Sequence, residues 1–211
     1  DAAEIRKGDI VVEVGPGLGV LTRELAKTGA GIVAIEKDVL MNQILKETLA
    51  DDKNVTVIRA DARKINWPNF WFDFLQPNLY TSLSPKDGKS DFEVRLPTLK
   101  IVANLPYNIA NFLIRSWLDP VRSRPAEGAA TTAVGRSASN GMEAKNRPER
   151  MVIMVQKEVA RRICAKPPRM NLLAASVQFY ADAKIVNYVP AEVFWPKPKV
   201  DSAILLLTPR K

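Results

Sequence analysis

The stretch DIVVEVGPGLGVLTRELAKTG, residues 9–29, constrains the fold more than any other part of the chain. A short apolar run ending at Gly15 reads as a strand, and the pattern after it reads as a helix with Leu18, Leu21 and Leu25 on one face. Gly29 stands where a helix C-terminus takes a left-handed residue. The rhythm then repeats: GIVAIEKD, VLMNQILKETLA with Leu40, Ile44 and Leu45 on one face, and VTVIRAD. Strands alternating with amphipathic helices imply an α/β fold, a parallel sheet with helices on both faces that takes its ligands at the carboxyl ends of its strands.

Further along, KIVAN resumes the strands, and Ile109, Phe112, Leu113 and Trp117 mark a helix. MVIMV reads as a buried strand, QKEVARRICA as a basic helix and MNLLAASVQFYA as another helix. The last two strands, AKIVNYV and SAILLLT, are joined by PAEVFWPKPKVD, which is short and has no helical pattern, so they are expected to pair antiparallel. Two stretches break the rhythm. Residues 66–98 begin rich in aromatics and run into an exposed loop, SLSPKDGKSD. Residues 119–150 hold no aromatic and few large apolar side chains, so a flexible insertion is expected there.

A chain of 211 residues, 46% hydrophobic, accommodates one such domain, and one domain over 1–211 is expected. No apolar run approaches the ~20 residues of a membrane helix, and the first residues lack the pattern of a signal peptide, so a cytoplasmic protein is expected, with an organelle as the alternative. Histidine is absent, which removes Ser-His-Asp chemistry and most zinc sites. The single cysteine, Cys164, has no histidine to activate it and reads as a small buried hydrophobe. Net charge is +8 and uneven: residues 1–105 carry 14 Lys/Arg and 15 Asp/Glu, residues 106–211 carry 17 and 8. That asymmetry points to a polyanionic partner on the second half, or to a well-solvated basic surface.

Four strand ends carry the chemistry. In EVGPGLG, Gly15 and Gly17 let the backbone approach a ligand closely, and their spacing resembles motif I of the AdoMet-dependent methyltransferases more than a dinucleotide fingerprint. Glu36 ends the second strand, where an acidic side chain accepts hydrogen bonds from ribose hydroxyls. Asp61 ends the third, at the level of a cofactor's adenine amine, unless it merely caps a helix. Asn104-Leu105-Pro106-Tyr107 ends the fourth. The exocyclic amine of adenine is a weak nucleophile because its lone pair is delocalised into the ring. The Asn104 side-chain oxygen and the Leu105 carbonyl can accept its two hydrogens, Pro106 fixes the backbone, and Tyr107 offers a ring for stacking.

The ordered set VEVGPGLGVLTRELA, AIEKD, ADA, VANLPYNIA, MVQKEVARRI and VFWPKPKVDSAIL resembles the ribosomal RNA adenine N6-dimethyltransferases of the KsgA type, with the Erm enzymes as close relatives. The resemblance implies a Rossmann-like class I AdoMet-dependent methyltransferase sheet, mostly parallel with an antiparallel C-terminal strand pair. It implies S-adenosyl-L-methionine as cofactor, held by Glu13, Gly15, Gly17, Glu36, Asp61, Ala62 and Asn104. It implies target-adenine contacts from Asn104, Leu105, Pro106, Tyr107 and Phe194, the last either covering the base or lying in the core. The expected partner is small-subunit rRNA within an immature subunit, met by a monomer. Arg161, Arg162, Lys166 and Arg169 are the candidate phosphate contacts, or else a solvated helix face. NLPY and the FxPxPKVDS ending favour the small-subunit enzymes over an Erm-like large-subunit enzyme or a non-catalytic RNA-binding factor. The family's basic N-terminal segment and small helical C-terminal domain have no counterpart in these residues, PPRMNLLAAS replaces the usual stretch after the QKEV helix, and 119–150 is longer than the family pattern.

Overall fold

The computed structural model describes residues 2–67, 69–71, 98–118 and 148–210. Seven strands are described: β1 (Ile10–Val14), β2 (Gly31–Glu36), β3 (Val55–Arg59), β4 (Leu99–Asn104), β5 (Arg150–Gln156), β6 (Ala181–Val189) and β7 (Ser202–Pro209). They form one sheet in the order β3-β2-β1-β4-β5-β7-β6. The first five run parallel, and β7 lies antiparallel between β5 and β6. The antiparallel ending follows from the short connection between β6 and β7, which cannot carry a crossover helix. The helices with described bounds are α1 (Val20–Ala26), α2 (Val39–Thr48), α3 (Ala110–Leu118), α4 (Lys157–Ile163) and α5 (Leu172–Gln178), with a 3-10 turn at Ala191–Val193.

Alternate strand residues serve opposite faces, as a period of two requires. Val11, Ile32 and Val102 pack with Leu25 and Ala26 of α1. Val12, Val14, Val33, Ile35, Ile101 and Ala103 pack on the other face with Leu113, Ile114 and Trp117 of α3 and with Ile163 and Val177. Each valine, leucine and isoleucine among them stabilises the fold by about 1.5–3 kcal/mol on burial. The aromatics after β3 join this core: Trp67 and Trp71 are buried, and Trp67 meets Trp117 edge-on at 5.5 Å. Cys164 packs half-buried against the same core, and burial pushes its thiol pKa up.

Three residues expected on buried faces lie in water instead: Leu18, Leu40 and Phe112 are 64%, 61% and 50% exposed. Leu18 precedes α1, which starts at Val20. Leu40 sits in the first turn of α2, just past the Asp38 cap that accepts from the Met41 amide at 2.9 Å. The face of α2 that turns inward carries Asn42, Leu45 and Leu49. The expected insertion lies outside the described residues up to 147; its last expected residue, Arg150, opens β5. The exposed loop expected within 66–98 lies outside them from 72 to 97.

At the amino ends of the central strands sits a buried polar cluster. Asp9 and Lys100 are 1% and 2% exposed and pair at 2.8 Å. Asp9 also accepts from the Arg6 amide and the Thr98 hydroxyl, each at 2.8 Å, and Lys100 donates to the Glu4 carbonyl. Burial pushes the Asp9 carboxyl up, but these hydrogen bonds outweigh it and hold the pKa below its ordinary value.

Candidate active site

At the carboxyl ends of the strands, residues far apart in sequence converge. Gly15 follows β1 with φ +71°, and its amide donates to the Ile35 carbonyl at 3.0 Å, locking the turn to β2. A Cβ on Gly15 would lie 3.7 Å from the Pro106 ring, so the glycine turn and the Asn-Leu-Pro-Tyr segment are neighbours. Gly17, at φ +58°, faces open space. Gly19, at φ +79°, is different: a Cβ there would come within 2.9 Å of Leu45, so this glycine lets α1 and α2 approach.

Asn104 ends β4 exposed, and its amide has no hydrogen-bond partner among the described residues. Leu105 is buried, its amide donating to the Met154 carbonyl of β5 at 3.3 Å, so the backbone that carries the segment is tied to the sheet. Pro106 accepts from the Ile109 amide at 3.1 Å and leads into α3. Tyr107 is 38% exposed, and its hydroxyl lies 3.1 Å from that of Ser202, a buried residue that opens β7.

Two acidic residues flank this centre. Glu36 ends β2 and accepts from the Asp38 amide at 2.8 Å through Oε1. Asp61 lies two residues past β3 and is gripped by Arg63: Nε reaches Oδ1 at 3.0 Å and a terminal nitrogen reaches Oδ2 at 2.7 Å. Lys37 stands 3.4 Å away. The Arg63 side chain foremost, then its backbone amide, holds the Asp61 carboxyl well below the usual range. Asp61 is therefore a fixed anion with part of its acceptor capacity already used.

Glu13 lies deeper. It is 1% exposed and accepts from the Thr22 hydroxyl at 2.7 Å, which links β1 to α1 beneath the glycine turn. Burial pushes its pKa up to about 7, against a smaller downward pull from Thr22. The Ala62 methyl is buried in the core, leaving its backbone as the part that could meet a cofactor. Among the described residues no group of His, Cys, Asp or Glu could hold a metal ion.

The loop joining β6 to β7 reaches the same edge, because β7 runs antiparallel to β5 and starts beside Gln156. Asp201 fastens it: Oδ2 accepts from Lys157 at 2.8 Å and Oδ1 from the Ala191 amide at 3.2 Å. Phe194 is half-buried in this loop, its amide donating to the Ala191 carbonyl at 3.3 Å. Of the basic candidates, Arg161 lies on α4 with its guanidinium 5.6 Å from the Tyr188 ring. Arg162 lies exposed in the last turn of the same helix, and Lys166 and Arg169 occupy the turn that follows, whose Arg169 amide donates to the Lys166 carbonyl at 2.9 Å.

A sequence profile of the family described as ribosomal RNA adenine dimethylase matches residues 1–211. The chain belongs to this family. Among curated dimethylase relatives, ribosomal RNA small subunit methyltransferase A of Moorella thermoacetica is 39% identical over 211 residues, covering 99% of this chain and 60% of the relative. The protein of the same name from Dehalococcoides mccartyi is 36% identical over 204 residues, covering 97% and 54%. The chain thus spans little more than half the length of these relatives. A crystal structure of a dimethyladenosine transferase from Plasmodium falciparum superposes with a TM-score of 0.66 at 26% identity, over 99% of this chain and 58% of that one. The 23S rRNA methyltransferase ErmE superposes at 0.67 with 24% identity, over 99% and 64%, and shows the shared fold. Seven strands with a mostly parallel centre and an antiparallel ending are the class I methyltransferase sheet.

Three contacts at this dimethylase-family site escaped the sequence reading: Ser202 on Tyr107, Lys157 on Asp201 and Arg63 on Asp61. Asp201 and Ser202 lie within PKVDS, whose repetition of the family pattern flagged the segment without assigning its side chains. Arg63, two residues from Asp61, is close enough for a local ion pair and was the most findable of the three.

Proposed function

We propose that this chain is the catalytic domain of an rRNA adenine N6-dimethyltransferase that uses S-adenosyl-L-methionine. Its target would be two adjacent adenosines near the 3′ end of small-subunit rRNA, modified during ribosome biogenesis, in the cytoplasm and by a monomer. The carrying observation is the juxtaposition of Gly15 with Pro106, 3.7 Å from ring to would-be Cβ, which brings the glycine turn against a segment whose Asn104 side-chain amide has no hydrogen-bond partner among the described residues.

The residues present fit the cofactor. Open space before Gly17 admits a ligand against the backbone, Glu36 keeps an oxygen beyond its bond to Asp38 for ribose hydroxyls, and Asp61 is an anion at the next strand end. When bound, S-adenosyl-L-methionine supplies a methyl group activated by its sulfonium. The chain's own part is positioning. Asn104 Oδ1 and the Leu105 carbonyl accept the two amine hydrogens, turning the nitrogen lone pair out of conjugation and toward the methyl donor. Pro106 restricts the backbone that presents the carbonyl, the Tyr107 ring receives one face of the base, and Phe194, on the loop between β6 and β7, receives the other. Holding two reactants in line accounts for a large share of the rate in such transfers. The target adenine enters unpaired, because its amine is not reachable within a duplex.

The test incubates the full-length protein with methyl-labelled S-adenosyl-L-methionine and small subunits lacking the modification. Label on the N6 of two neighbouring small-subunit adenosines is the expected result. Label on large-subunit rRNA would transfer the activity to an Erm-like target, and its absence from any adenine would overturn the proposal.

A further inference from the structure

Trp67, Trp71 and Trp117 are 2%, 5% and 4% exposed, whereas the fourth tryptophan, Trp195, is 97% exposed. An indole so placed contributes almost nothing to the core. The backbone that carries it is nevertheless anchored, because the loop is braced by Asp201 against Ala191 and Lys157 and by the Phe194 amide against Ala191. Trp195 falls in sequence between Glu192 and Lys197, two residues that line a surface cleft of about 600 Å³ together with Lys157, Arg161 and Lys199.

The charges in this cleft are unequally spent. Lys157 is paired with Asp201 at 2.8 Å and Lys197 with Glu192 at 2.9 Å. Arg161 rests against the Tyr188 ring, and Lys199 has no carboxylate in ion-pair range among the described residues. Glu158 also lines the cleft, so the uncompensated balance is a small positive excess. An exposed indole carried on the loop whose other residues line a cleft with two available cations matches a nucleotide: a base face for the ring, a phosphate for the charges. Duplex RNA fits poorly, because its bases are already stacked on one another.

We propose that Trp195 and this cleft hold the nucleotide adjoining the target adenine, its base stacked on the indole and its phosphate against Arg161 and Lys199. The proposal rests on the reading of rRNA as substrate and gives that substrate a second point of attachment beside the methyl-transfer centre.

Because the other three tryptophans of these 211 residues are buried, the acrylamide quenching that disappears in Trp195→Ala is the signal of Trp195. The full-length protein is titrated with single-stranded oligoadenylate RNA about eight nucleotides long. Binding is expected to quench the exposed indole and shield it from acrylamide. Trp195→Ala should abolish that signal and weaken binding about tenfold, measured by anisotropy of labelled RNA. Arg161→Ala with Lys199→Ala should weaken binding and flatten the slope of log affinity against log salt by about 0.7 per lost contact. An indole still open to acrylamide at saturating RNA, or unchanged affinity in Trp195→Ala, would overturn the proposal, as would equal shielding by duplex RNA. Methyl transfer is measured on the same samples. Shielding without transfer would strike the proposed activity and leave this surface standing; transfer with an unshielded indole would do the reverse.

Discussion

At the amino ends of β1 and β4, Asp9 and Lys100 meet at 2.8 Å in the interior, with Arg6, Thr98 and Glu4 completing their hydrogen bonds. At the carboxyl ends of the same strands, the glycine turn opens onto free space at Gly17 and Asn104 keeps a side-chain amide with no hydrogen-bond partner among the described residues. The strands, their apolar content and their burial are continuous between the two ends; what differs is whether polar capacity is used up. A saturated cluster has nothing left for a ligand and contributes register and stability. An unsaturated one contributes little to stability and is where chemistry can occur. The difference predicts that substitutions at the two ends will separate folding from turnover.

The sharpest attack on that contrast is Lys100→Met, which strips a buried carboxylate of its cation. Stability should fall by about 3–5 kcal/mol in urea unfolding, while turnover per folded molecule stays near that of the parent. A Lys100→Met protein of unchanged stability would erase the distinction between the ends. The opposite substitution, Asn104→Ala, should reduce methyl transfer by about 10²–10³-fold, the scale found when one preorganised hydrogen-bonding group is removed from an active site, with a melting temperature close to the parent's. Loss of folding there instead of activity would assign Asn104 to the scaffold.

Glu13 lies between the two regimes, buried like Asp9 but with Thr22 as its one side-chain partner among the described residues. The unfolded chain releases this proton near the ordinary value of 4.5, while the native state keeps it up to about 7. The native state therefore loses stability as pH rises across that window, on the order of 3 kcal/mol in all. Glu13→Gln should remove this slope. Because the chain has no histidine, little else of ordinary pKa titrates between pH 5 and 8, and urea unfolding at those two pH values isolates the effect. Parallel pH dependence in both proteins would show that Glu13 is ionised at the same pH folded and unfolded. The smallest effect belongs to Ser202→Ala, which frees the Tyr107 hydroxyl: about 1 kcal/mol of stability and a few-fold loss in kcat. With Tyr107→Phe the two losses should not add; additive losses would mean that the hydroxyls do not act as a pair.

Much of this was legible because it depended on local pattern. Val11 to Val14 alternate between two cores as any strand so flanked must, and the φ of +76° at Gly29 sits where its place after an amphipathic run required it. Leu18, Leu40 and Phe112 were misread because each matches a helical apolar spacing while sitting in a helix's first turns or just before it, where the side chain clears the sheet. Lys100, the first residue of KIVAN, lies 2% exposed, since a charge can enter the core when its partner, 91 positions earlier, is brought to it.

By itself the sequence determined the alternation of strands and helices, the antiparallel ending and which strand ends carry glycine, acid and amide. Those follow from periodicity and from backbone conformations that few residues tolerate, both properties of neighbours in the chain. Only the tertiary structure decided that Pro106 stands against Gly15, that Ser202 holds Tyr107, and that Arg63 grips Asp61 while Trp195 is left in water. Whether a polar or aromatic group is spent or free depends on what sheet pairing brings within about 3–4 Å of it, and most of those contacts join residues dozens of positions apart.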